Sequence, residues 1–172
     1  MKKAALPLTI AVTKKELVKS FNSAVVHRFK VGDCIVTEGH VSDSCFYLVK
    51  GRVQISKRMK KGLPVKLGIL GSGQFFGEMA MLSGQRRSAT VTALTAVEAV
   101  EIDRSEFEQL AQSHHSVAGS IALHFSVQMA NRINRLLKLL AKHSDTQVKS
   151  EPDTEPVDVR QVLHKVYSFW AV

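Results

Sequence analysis

The chain has 172 residues, of which 45% are hydrophobic and only 6% aromatic. That is enough apolar material for one ordinary domain with a mostly aliphatic core, which excludes a wholly disordered protein, and no apolar run reaches the ~20 residues of a membrane span. A net charge of +9 favours an anionic partner without deciding between a small anion and a polymer.

The N-terminal "MKKAALPLTIAVTKK" has the basic start and short apolar run of a signal peptide. It lacks an A-x-A cleavage site, and Lys14 and Lys15 follow at once, so it reads as a leader into a helix. Thr13 is a candidate N-cap, and Leu17, Val18, Phe21 and Val25 recur at helical spacing, which predicts a helix over 13–28. From Phe29 the pattern changes to short β-branched runs: "FKVGDCIVTEG", "SCFYLVKGRVQISKR", "PVKLGILGSGQFFG" and "SATVTALTAVEAVEID". Glycines punctuate them, and such spacing predicts an all-β sandwich or barrel over 29–103. Within it, "KRMKKGLP" reads as a basic, solvated hairpin tip. Cys34 and Cys45 are too few for a disulfide framework and lack metal-ligand spacing. Both are expected as reduced core thiols of a cytoplasmic protein.

Helical periodicity returns after Asp103. "RSEFEQLAQS" predicts a short amphipathic helix, and Val117, Ile121, Phe125, Met129, Ile133, Leu136 and Leu140 predict a long one over 116–143. Leu137 and Leu139 widen its stripe beyond one core face, which points to a partner helix and a homodimer through 116–143. A helix packed only on its own barrel is the alternative. Residues 144–158 hold five of the 15 acids and two of the four prolines, so they read as an acidic flexible linker. Residues 159–172, with the only tryptophan, form a short amphipathic tail expected to dock on this chain or on a protein partner.

"FGEMAMLSGQRRSATVTA" carries the chemistry. Gly77 allows a conformation or close approach that a side chain forbids. Met79 to Leu82 can make one helical turn ending near Ser83-Gly84, and the start of such a turn presents N–H groups that suit anions. Ala80, Ser88 and Ala89 are small enough to let an anion reach backbone. Arg87 adds a planar, permanent charge suited to phosphate. Glu78 would repel a bare phosphate, but it is explained if the ligand also offers a hydroxyl, as a ribose 2′-hydroxyl beside that phosphate does. The alternative is a structural Glu78–Arg87 salt bridge.

This stretch resembles the phosphate-binding cassette of cyclic nucleotide-binding domains, roughly F-G-E-x-A-L, a spacer, then R-[A/S/T]-A. Phe76, Gly77, Glu78, Ala80, Arg87, Ser88 and Ala89 match it, and Met79 lies within it. "FYLVKGRVQI" and "LGSGQFFGE" resemble the strand-and-glycine signature of the same family. The resemblance extends to its catabolite activator and protein kinase A regulatory branches, and covers about residues 13–143.

It implies a double-stranded β-helix (jelly-roll) barrel with an N-terminal helix and a long C-terminal helix, mainly β overall. It also implies a cyclic AMP or cyclic GMP ligand without further cofactor. Glu78 would take the ribose 2′-hydroxyl and Arg87 the cyclic phosphate, with backbone N–H groups from Gly77, Ala80 and Ser88. Leu67 and Leu70 could line the sugar or base side, or belong to the core. Arg86 stands where many relatives have proline and reads as a surface residue.

The long helix departs from the activator branch. Leu136-Leu137 stand where polar residues touch adenine in that branch, which leaves Asn131, Asn134 and Arg135 as polar candidates and the base undecided. Only 29 residues follow His143. They do not comfortably hold a helix-turn-helix, so no DNA-binding domain is expected.

The expected function is a ligand-binding sensor module signalling through its C-terminal helix. The alternatives are a catabolite-activator-type transcription regulator lacking its own DNA-binding domain and a degenerate module that no longer binds. No catalytic residue and no metal site are expected. The adjacent His114-His115 is not a cupin-type cluster, and no nucleophile–histidine pairing is visible.

Overall fold

The computed structural model describes residues 12–58, 63–113 and 115–147. The chain divides into two compact units at Ser126/Val127.

The first unit opens with α1 (Lys14–Ser20). Thr13 caps it as expected: its hydroxyl accepts the Glu16 N–H, and the Glu16 carboxylate accepts the Thr13 N–H, a reciprocal capping box. The helix is shorter than the predicted 13–28. Phe21 leaves helical geometry, a turn follows, and the β-branched Val25 and Val26 pair with a strand instead.

Eight antiparallel strands follow: β1 (Val25–Phe29), β2 (Cys34–Val36), β3 (Ser44–Lys50), β4 (Arg52–Lys57), β5 (Val65–Gly71), β6 (Phe75–Phe76), β7 (Thr90–Ala93) and β8 (Val97–Asp103). They form two four-stranded sheets, ordered β1-β8-β3-β6 and β2-β7-β4-β5, which is the expected mainly β barrel. The sheet begins at Val25 rather than Phe29 because β8 offers Val25 and Val26 partners at Glu101 and Val100.

Alternation along the strands sorts side chains into two cores. Phe76 enters the barrel and stacks on Phe46 at 5.2 Å between ring centroids, with Leu48, Val53, Val91 and Ala99 around them. Its neighbour Phe75 points to the opposite face. There it meets Tyr47 at 4.9 Å and Phe125 at 5.0 Å, in a cluster with Leu17, Phe21 and Ile121. Two consecutive phenylalanines therefore seat one short strand, β6, in both cores, and β6 leads directly into the candidate site.

A short helix, α2 (Glu78–Ser83), interrupts the strands, and α3 (Arg104–Gln112) and α4 (Ser116–Gln147) follow them. Asp103 caps α3 through the Ser105 N–H at 2.7 Å and accepts the Ser105 hydroxyl at 2.6 Å; the hydroxyl first, and then the N–H, holds its carboxyl below the usual aspartate value. The part of α4 up to Ser126 belongs to the first unit, where Ile121 and Phe125 are buried. The second unit holds the rest of α4, which is helical through Gln147 and so runs past His143. No glycine or proline stands before Pro152 to stop it, so the expected linker begins as helix.

The leader to residue 11, the tip 59–62, the linker from residue 148 and the tail 159–172 lie outside the described residues. Among those described, no helix is long and apolar enough to cross a membrane, and no group of three His, Cys, Asp or Glu is placed to hold a metal ion.

The expectation of two core thiols holds for only one. Cys45 is buried, and burial pushes its thiol pKa up, whereas Cys34 is exposed. A register shift between Cys34 and Val36 breaks the alternation that would have given both residues the same environment.

Candidate functional site

The site begins where β6 ends. Gly77 takes φ +82°, a left-handed conformation that favours glycine, and so turns the chain sharply into α2. Gly84 closes α2 with a second left-handed residue whose N–H donates to Ala80 O at 2.9 Å. The predicted single turn is thus present over Glu78–Ser83. Its first N–H groups have no intrahelical partners.

Within this turn the side chains separate by burial. Glu78, Ala80 and Met81 face inward, while Met79 is exposed. Phe76 is buried below, Ser88 is exposed and Ala89 half-buried. Along this stretch Gly77, Met79, Ser88 and Ala89 thus make an outer rim, whereas Phe76, Glu78, Ala80 and Arg87 are buried.

Arg87 is only 5% exposed. Its Nη1 donates to Ser44 O and to Gly77 O, each at 2.7 Å, and its Nη2 donates to Ser42 Oγ at 2.7 Å and Ser44 Oγ at 3.2 Å. These four bonds engage both terminal nitrogens of the fork, whose fifth donor is Nε–H. Burial lowers the guanidinium pKa, and the negative charges of Glu101, Glu78 and Asp43 oppose that shift. Packing is close enough that a Cβ on Gly77 would stand 2.5 Å from Arg87 Nη1. Gly77 is thus fixed twice, by its φ and by the guanidinium beneath it.

The β2–β3 connection, residues 37–43, grips the other side of Arg87. Gly39 N–H donates to Arg87 O and Arg87 N–H donates to His40 O, both at 2.8 Å, and Arg86 Nη1 donates to Gly39 O at 2.9 Å. Arg86 itself is exposed, as expected. Lys57 Nζ donates to Ser88 O at 2.7 Å, which ties β4 to the rim. The grip of Ser42, Ser44 and residues 39–40 on Arg87 was not foreseen from sequence. Small polar residues more than forty positions upstream carry no periodic signal of such contact.

The remaining candidates lie on β5 and α4. Leu67 and Leu70 are three apart on β5, and strand alternation sends them to opposite faces. Leu70 packs against the barrel interior, and Leu67 is half exposed. Asn131, Asn134 and Arg135 lie on α4 in the second unit, all exposed.

Residues 26–114 match a family model described as "Cyclic nucleotide-binding domain". Over 109 residues the chain is 34% identical to the cAMP-activated global transcriptional regulator of Escherichia coli, covering 63% of this chain and 50% of that protein. Over 118 residues it is 35% identical to a cyclic nucleotide-gated potassium channel of Rhizobium etli, covering 69% of this chain and 32% of the channel. The chain spans about half the length of the regulator, and less of the channel. Among solved structures, the catabolite activator protein of Thermus thermophilus has a TM-score of 0.63 at 22% identity, covering 77% of this chain and 62% of that one; this likeness is of fold. The regulatory domain of Toxoplasma gondii PKA, solved with cAMP, has a TM-score of 0.51 at 26% identity, covering 57% and 37%.

Proposed function

The chain belongs to the cyclic nucleotide-binding domain family, and on that premise we propose that it binds 3′,5′-cyclic AMP or cyclic GMP as a non-enzymatic sensor module. One observation carries the reading: a buried carboxylate, Glu78, and a buried guanidinium, Arg87, occur together at a left-handed glycine turn whose outer residues include the small Gly77, Ser88 and Ala89. A simple core does not favour two buried charges, because desolvation offsets most of their attraction. A ribose joined to a cyclic phosphate uses both. Glu78 accepts the 2′-hydroxyl, Arg87 carries the countercharge of the phosphate, and the first N–H groups of α2 donate to its oxygens. Among the relatives, the T. gondii regulatory domain was solved with cAMP, and the E. coli regulator is cAMP-activated.

Calorimetry with cyclic AMP, cyclic GMP and linear 5′-AMP tests the proposal. Both cyclic nucleotides are expected to bind, within about a hundredfold of one another, because Leu136-Leu137 replace the polar residues that touch adenine in the activator branch, and apolar residues read hydrogen-bonding edges weakly. The linear monophosphate, with an extra charge and no ring closure, is expected to bind at least about tenfold more weakly. Equal binding of all three would reduce the site to a general anion cradle. No binding would favour the degenerate module.

The signal is proposed to leave through α4. Leu123 and Ile133 are large apolar side chains exposed on this helix, and a homodimer through 116–143 would cover such groups. Light scattering at micromolar concentration is expected to give a dimer, and Ile133→Glu a monomer with unchanged barrel melting. A monomeric parent chain removes the dimer from the proposal. In a longer protein the same helix would pass the signal to a further domain, as a transcription regulator requires. In this chain the tail 159–172 is the proposed recipient, and a cytoplasmic location is proposed with it.

A further inference from the structure

One line of hydrogen bonds runs from Arg87 to a histidine on another strand. Arg87 Nη2 donates to Ser44 Oγ at 3.2 Å, and Ser44 Oγ donates to Glu101 Oε1 at 2.6 Å. His27 Nε2 meets the other oxygen, Oε2, at 2.7 Å. Donor polarity is consistent throughout: the carboxylate of Glu101 accepts from both sides, and Ser44 passes its own proton on while accepting from the guanidinium. We propose that His27 and Glu101 act through Ser44 as positioning residues for Arg87, and that the charge on His27 tunes how strongly the site holds an anionic ligand. The inference rests on the reading of Arg87 as the group that meets the phosphate.

The surroundings single out this path. A cavity of about 490 Å³ lies against Ser44 and Glu101 and is also lined by Asp103 and Glu106. Asp103 is taken up by the Ser105 N–H and hydroxyl, and Glu106 by the Ser23 N–H and hydroxyl. Glu101 is the carboxylate of the three whose bonds lead to Arg87.

Around His27, β8 presents Glu101, and β3 presents Ser44 and the Phe46 ring, 6.0 Å from the imidazole. Phe29 stacks along β1 at 5.9 Å. The neighbouring Arg28 pairs with Glu98, which also holds Lys14 of α1, and alternation puts that group on the other face of the sheet. Arg87 lies beyond Ser44, with the charges of Glu78 and Asp43 close to it.

The sign follows from charge. With a neutral imidazole, Glu101 is a countercharge to Arg87. A protonated imidazole neutralises Glu101 and adds a positive charge of its own. Both changes leave Arg87 freer to attract an anion. Histidine is the side chain that changes charge between about pH 5 and 8, so affinity should rise as pH falls through that range. Reciprocity requires the ligand to draw a proton onto the protein as it binds.

The test is calorimetry of the full chain with cyclic AMP from pH 5.5 to 8.0 at constant ionic strength, in paired buffers of different ionisation enthalpy. The affinity is expected to rise about three- to tenfold toward pH 5.5, with fractional proton uptake on binding. His27→Gln should flatten the profile at the alkaline value, while His40→Gln, beside Arg87 on the β2–β3 connection, should keep the slope. Glu101→Gln removes the charge that links His27 to Ser44 and should reduce the slope, leaving only the direct effect of the imidazolium charge.

Binding without slope or proton uptake overturns the inference and leaves the parent reading intact. A slope that survives His27→Gln also overturns it. Absence of binding at every pH, in protein shown to be folded by circular dichroism, removes the parent reading and this one with it. If His27→Gln does not fold, proton uptake by the unmodified chain and the Glu101→Gln profile decide.

Discussion

Arg87→Ala is expected to weaken cyclic AMP binding by at least about tenfold, and Arg86→Ala to leave it within about twofold. A hydrogen bond to a charged group contributes roughly 1.5–3 kcal/mol, equivalent to about 10- to 150-fold in affinity. The contrast between adjacent arginines is the informative part. Both carry the same charge, but Arg87 is buried beneath Gly77, while Arg86 is exposed and bonded to Gly39 O. A diffuse basic field would be weakened equally by either change, and equal losses would therefore discard the specific pairing.

Arg87→Ala also strips donors from two backbone carbonyls and two serine hydroxyls, so it should lower stability by roughly 1–3 kcal/mol. Melting curves must accompany the binding data. Arg87→Lys separates the two effects further. It keeps a positive charge but loses the fork, and its affinity should fall between those of Arg87→Ala and the parent chain.

Phe75→Ala is expected to have the largest effect on stability, about 3–5 kcal/mol in urea unfolding of the full chain. Phe75 is fully buried, with rings of Tyr47, His124 and Phe125 at 4.9, 5.1 and 5.0 Å. Its loss opens a cavity between the sheet and the start of α4 within the first unit. Since domains have only about 5–15 kcal/mol in total, the variant should be marginal at room temperature. Val31→Ala, at a position 67% exposed, should fall within about 0.5 kcal/mol of the parent. A loss below about 1 kcal/mol at Phe75 would show that the cluster closes over the gap or was never tightly packed.

Much of the barrel was legible because its signals are local. β-branched runs between glycines set the strands, and Thr13 marked the start of α1. The turn at Gly77 was legible for the same reason, since glycine, small residues and Gly84 all lie within one turn.

What failed depended on distant partners. The spacing of Leu17, Phe21 and Val25 fits a helix, yet Val25 pairs across the sheet with Glu101, 76 positions on. Leu67 and Leu70 were offered together, for the pocket side or for the core, but the two faces of β5 separate them: Leu70 joins the core and Leu67 is half exposed. The environment of Arg87 was least legible. The motif proposes it as the anion group, but the four bonds that hold it reach Ser42, Ser44 and Gly77. No spacing rule connects an arginine to serines in a loop and strand so far upstream.

The unequal fate of the two cysteines has a practical side. Thiol alkylation requires both access and thiolate, and Cys45 is denied both by burial. Cys34 lies open at the start of β2, its sulfur within 3.4 Å of Val36 O and Thr37 Oγ1. Thr37 begins the connection whose Gly39 and His40 clasp the backbone of Arg87. A maleimide dye on the native chain therefore goes to Cys34, without mutagenesis, and reports from the base of the strap that holds the arginine.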